Sequence, residues 1–65
     1  MKLSQLGPMQ QYELIERMAR AIAKVYGFDF TGVDIQNHAR VNPRAAEYVR
    51  AAIATLEEVK EFGVL

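Results

Sequence analysis

Cysteine is absent from this chain of 65 residues, and histidine occurs once. A disulfide framework and a Cys/His zinc site are thereby excluded, and no cofactor-binding motif is visible in their place. An excess of charge is missing too. Eight Lys/Arg balance eight Asp/Glu, whereas a free-standing nucleic-acid binder advertises itself by a basic surplus. No apolar run approaches the ~20 residues that a bilayer span needs. The start, Met1-Lys2-Leu3-Ser4-Gln5-Leu6 with Pro8 soon after, lacks the apolar stretch of a signal peptide. The expectation is a cytoplasmic protein with no membrane contact, no metal and no cofactor. Internal repeats and low-complexity segments are absent as well.

What is present has a globular balance, 51% hydrophobic and 25% charged, enough for one small domain. A core of this size supplies only ~3–5 kcal/mol. Stability must therefore come from good helix packing, from self-association or from a partner, which makes a homo-oligomer plausible from the start.

Two amphipathic helices carry the pattern. In the first, Ile15, Met18, Ile22 and Val25 recur at helical spacing, opposite a stripe of Glu13, Glu16, Arg17, Arg20 and Lys24. With Pro8 suited to the first helical position and Gly27 to the stop, this predicts a helix over about 8–26. Its acids come first and its bases last, which suits the helix dipole, and Glu13/Arg17 and Glu16/Arg20 are spaced for i,i+4 pairing. Phe28 is placed for the usual apolar contact back onto the last turn. Asn42-Pro43 is the strongest local signal, a good N-cap followed by a proline favoured at N1. Ala45, Val49, Ala52, Leu56 and Val59 then define an inner stripe, predicting a helix over about 43–62 that stops at Gly63. The connector 27–42 holds Phe28, Phe30, Val33, Ile35 and Val41, too many large apolar groups for a solvated linker. It reads as a lid on the core, with a short helix over 33–40, capped from Thr31, or an ordered loop. The fold class is all-α, an antiparallel two-helix hairpin within a small helical bundle.

An antiparallel pair gives the neutral chain two poles. Glu13 and Glu16 would lie beside Glu57, Glu58 and Glu61, and these five acids are the candidate contact residues for a protein partner. Glu57 to Glu61 sit at the negative end of the helix dipole, and Glu57/Glu61 are like charges at i,i+4. A solvated face explains them without any function; a surface kept for a basic partner, or for a groove that normally holds nucleic acid, is the functional reading. Arg17, Arg20, Lys24, Arg40 and Arg44 would gather at the opposite pole, the candidate site for an anion or nucleic acid. There Asn37, His38, Arg40, Asn42 and Arg44 surround the start of the second helix, where backbone N–H groups favour anions.

Other functions fit poorly. The exposed side of the second long helix carries Glu47, Glu57, Glu58 and Glu61 against Arg44 and Arg50, the wrong sign for entering a major groove. His38 has no Ser, Cys or second His at recognisable spacing, carboxylates pair only as helical neighbours, and no phosphate loop exists, so an enzyme is not expected. Tyr12, Tyr26, Tyr48, Phe28, Phe30 and Phe62 lie beside apolar stripes or helix ends and read as packing. Met1, Met9 and Met18 are too few for a methionine groove.

The stretch Glu16-Arg17-Met18-Ala19-Arg20-Ala21-Ile22-Ala23, the break Gly27-Phe28-Asp29 and the stretch Arg50-Ala51-Ala52-Ile53-Ala54-Thr55-Leu56 resemble a type of small helical protein encoded by phages and prophages. The likeness covers roughly two thirds of the chain. Some phage proteins of this size inhibit host defence systems, anti-CRISPR proteins among them. The resemblance implies a binding protein that acts by occupying a surface; it carries no active motif and hence no functional residue. Three expectations follow: a protein-interaction module using the acidic pole, a nucleic-acid-associated factor using the basic pole, or a structural homodimer built as a four-helix bundle. Exposed Ala51 and Ala54 mark where a second chain could approach the second helix closely.

Overall fold

The computed structural model describes residues 6–63, so Met1 and the start of the chain discussed above lie outside the described residues. Three helices follow one another: α1 (Pro8–Val25), α2 (Ile35–His38) and α3 (Pro43–Phe62). No strand occurs among the described residues.

Each boundary has a local cause. Gly7 caps α1 through its N–H, which donates to Gln10 Oε1 at 2.8 Å, and Pro8 follows at the position where a missing N–H is harmless. At the far end the Phe28 N–H donates to the Ala23 carbonyl and the Gly27 N–H to that of Lys24. This is the paired closure of a Schellman motif, and it needs Gly27 at φ +86°. Phe28 does not simply fold back on α1: its ring packs 6.2 Å from Tyr48 and beneath the Arg44 guanidinium, both on α3. Asn42 caps α3 as its type predicts, Oδ1 accepting from the N–H groups of Arg44 and Ala45. Gly63 ends that helix in the left-handed region.

The two long helices run antiparallel. Near the end of α3, Lys60 Nζ donates to Gln11 Oε1 at the start of α1, 3.1 Å away. At the opposite end the rings of Tyr26 and Tyr48 stack with centroids 5.8 Å apart.

The core they enclose is thin. Ala19 and Ala23 of α1 meet Ala45, Tyr48, Val49 and Ala52 of α3, with Ile35 of α2 laid over them. Small side chains let helix backbones approach, but they bury little apolar area. Ile35 is the largest fully buried side chain among the described residues, a contribution of about 1.5–3 kcal/mol.

The apolar stripe expected to face inward on α1 is therefore displaced. Glu16, Ala19 and Ala23 occupy the buried line, while Ile15, Met18 and Ile22 are half-buried beside it and Val25 is 82% exposed. The connector also differs from the expected lid. Phe30 and Ile35 join the core, but Val41 is 81% exposed and Phe28 and Val33 lie at the rim. The cap of the short helix is Asp34, accepting from the Asn37 N–H, and α2 is a single turn rather than two. Thr31 instead closes a small turn with Asp29, its N–H donating to Asp29 Oδ1 at 2.9 Å.

Candidate functional site

Glu16 is the most heavily used polar side chain among the described residues. It projects from the middle of α1 and is 6% exposed. One carboxylate oxygen accepts from the Ile35 N–H at 2.9 Å, the other from the Gln36 N–H at 2.9 Å and from Gln36 Nε2 at 2.8 Å. Arg20, one turn on, adds an ion pair at 3.3 Å and donates to the Val33 carbonyl at 3.1 Å. The leading N–H groups of α2 are thus taken by two acids, Ile35 and Gln36 by Glu16 and Asn37 by Asp34. That arrangement satisfies the orphan donors of a helix start and suits the sign of its dipole. Its task is to hold the connector against α1.

A second contact reinforces the same seam. Tyr12 Oη donates to Asp34 Oδ1 at 2.6 Å, and Gln36 Nε2 also reaches the Tyr12 carbonyl at 3.0 Å. The hydrogen bond to Asp34 pushes the Tyr12 hydroxyl up to about 12. The same bond, with the Asn37 N–H, holds the Asp34 carboxyl below its ordinary value. Asp29 is likewise lowered, by its bonds from the Thr31 hydroxyl and N–H.

The expected acidic pole is therefore rearranged. Glu13, Glu57, Glu58 and Glu61 are exposed, and the Lys60–Gln11 bond brings the end carrying Glu57–Glu61 beside the start of α1. Glu16 is withdrawn from that surface: a carboxylate with four internal partners has none to offer outside. Asp34 joins the acidic end through Tyr12. Among the described residues the Glu16–Arg20 pair is the one salt bridge, so the exposed glutamates are not consumed by ion pairs there, and the expected Glu13–Arg17 pair does not form.

The expected basic pole is divided. Arg17, Arg20 and Lys24 line a shallow groove of about 780 Å³ between α1 and the connector, but Glu13, Glu16 and Asp34 line it too. Arg20 is held internally. Arg40 is exposed without joining that groove, and Arg44 lies 4.5 Å above the Phe28 ring on the other side. The anion site expected at the start of α3 is occupied by the chain itself. Asn42 Oδ1 takes the free N–H groups, and its Nδ2 lies 3.1 Å from His38 Nε2. His38 in turn packs against the Phe30 ring at 5.9 Å.

One surface went unrecognised in the residue pattern. On the face of the helix pair turned away from α2, Tyr26, Tyr48, Ile22, Arg44, Arg50 and Ala51 border a common depression. Tyr26 is 67% exposed despite its stacking on Tyr48. The spacing of Arg44, Tyr48, Ala51, Thr55, Glu58 and Phe62, alternately four and three residues, places all six along one line of α3.

The class defined by these features is a small antiparallel helix pair clasped by a carboxylate, with no group of His, Cys, Asp or Glu fit to hold a metal among the described residues. None of its described helices is long and apolar enough to cross a membrane. Comparison with known proteins finds no matching family model, no matching curated protein and no matching solved structure.

Proposed function

We propose that this chain is a small, non-catalytic protein-interaction module, of the kind its resemblance to phage-encoded helical proteins implies, that regulates or inhibits a larger host machine by covering a basic surface. The observation that carries the reading is the acidic end: Glu57, Glu58 and Glu61 stand exposed next to the start of α1, where Glu13 is exposed as well. Like charges gathered there do not stabilise the monomer, and a complementary partner would relieve them. Glu16 plays no part in this surface, because its carboxylate secures α2.

The test is a simultaneous Glu57→Lys, Glu58→Lys and Glu61→Lys variant. Binding to partners recovered from the native host should be lost at physiological salt while the helical circular dichroism stays unchanged. Binding that survives the reversal refutes the acidic-end reading. The groove holding Arg17 and Lys24 supports a second reading, a nucleic-acid-associated factor. A gel shift with random duplex that weakens steeply as salt rises would favour it.

A further inference from the structure

We infer that a second copy of this chain packs against the face of the helix pair opposite α2, related by a two-fold axis that sets α3 antiparallel to its counterpart near Ala51 and Thr55.

The composition of that face along α3 supports the choice of occupant. Arg44 and Tyr48 stand at one end of the line, Glu58 and Phe62 at the other, and the small residues Ala51 and Thr55 lie between them. Turned end for end, the line complements itself. Arg44 and Tyr48 of one copy meet Phe62 and Glu58 of the other, giving a guanidinium an aromatic face and a carboxylate within reach. Both pairings occur twice by symmetry. A parallel arrangement would set Arg44 against Arg44 and Glu58 against Glu58. At the centre, Ala51 is exposed and the Thr55 hydroxyl already donates to the Ala51 carbonyl at 2.8 Å, so no unsatisfied polar group resists close approach.

The neighbouring strip of α1 points the same way. Met18 and Ile22 are half-buried and Leu14 likewise, while Val25 is almost fully exposed. A standard interface takes ~800 Å² from each partner, about a sixth of the 4765 Å² surface. The monomer's core, four alanines with Ile35, Tyr48, Val49 and Leu56, leaves Val25 of α1 uncovered and Leu14, Met18 and Ile22 only half-buried. A second copy supplies that cover, forming a four-helix bundle with an α2 on each outer side. Glu58 belongs both to this interface and to the acidic end, so a basic partner and the second copy compete for it.

Sedimentation equilibrium across a concentration series tests the inference. The wild-type chain should sediment as a dimer that dissociates on dilution, and Ala51→Arg, an exposed and helix-compatible change, should raise the dissociation constant by about tenfold or more with helicity unchanged. Arg44→Glu and Glu58→Arg should each weaken the dimer, and the two together should restore it. A chain that is monomeric at every concentration, an Ala51→Arg variant that dimerises like wild type, or a double reversal that fails to rescue would each overturn the inference. The acidic-end reading fails separately: Ala51→Arg keeps every carboxylate, so a partner bound through them must still bind this variant.

Discussion

Replacing Glu16 with alanine removes the acceptor from four contacts, two of them to the backbone N–H groups of Ile35 and Gln36 at the start of α2. Hydrogen bonds to a charged group contribute about 1.5–3 kcal/mol each, and a buried donor left without an acceptor costs about 1–3 kcal/mol. These effects overlap, and a combined loss of about 3–5 kcal/mol is expected. A core of this size supplies about as much in total, so Glu16→Ala should leave α2 detached or the chain unfolded. An apolar replacement cannot compensate as it can for some buried ion pairs, because the orphaned donors are main-chain groups. Glu16→Gln keeps one carbonyl oxygen and should cost about 1–2 kcal/mol, a fall in Tm of about 5–15 °C for a domain of this length. Urea unfolding followed by circular dichroism gives the stability, and amide exchange at Ile35 and Gln36 reports the clasp itself. Glu13→Ala, three residues away and exposed, should stay within ~0.5 kcal/mol of wild type. The reasoning is wrong if Glu16→Ala also stays within ~1 kcal/mol, or if the Ile35 and Gln36 amides keep their protection.

Three further changes test the connector and the turn before it. Asp34 is lowered in the folded state chiefly by the Tyr12 hydroxyl, so its contribution is present above the ordinary carboxylate value and is lost as pH falls through the lowered one; Tyr12→Phe should move the acid end of the stability profile to higher pH. The same contact raises Tyr12 to about 12, which keeps its contribution intact below the ordinary tyrosine value and loses it as pH rises through about 12; phenolate absorbance should show this tyrosine ionising there, and Asp34→Ala should bring it down. Gly27→Ala places a Cβ in open space but at φ +86°, so its cost is conformational alone, about 1–2 kcal/mol by thermal unfolding, with the helical spectrum of the folded state preserved.

The long helices were legible because their signals are local. Pro8, Gly27, Asn42-Pro43 and Gly63 each act on the backbone of their immediate neighbours, and tertiary context does not alter what a proline or a left-handed glycine can do. Hydrophobic period was a less faithful guide. Ile15, Met18, Ile22 and Val25 form the most obvious apolar stripe of α1, yet the buried line is Glu16, Ala19 and Ala23. Periodicity ranks side chains by size and polarity, while close helix approach selects small ones. Only the three- and four-residue spacing of Glu16, Ala19 and Ala23 hinted at that choice. Thr31 matched the pattern of a cap as well as Asp34 does; which of them serves depends on where Glu16 and Tyr12 hold the connector, information that lies some twenty residues away in sequence.

The same exchange of faces bears on function. Had the aliphatic stripe of α1 packed inward, Glu16 would have stayed with the other acids and the surface would have been polar nearly throughout. Turning Glu16 inward spends the carboxylate on the connector and moves Leu14, Met18, Ile22 and Val25 toward the face that also carries Tyr26 and the self-complementary line of α3. A chain with no cysteine, and no metal-holding group among its described residues, has few other ways to strengthen so slight a core. The displaced stripe and the buried acid are thus one structural choice with two consequences: a connector fixed by charge, and an apolar face left open on the helix pair.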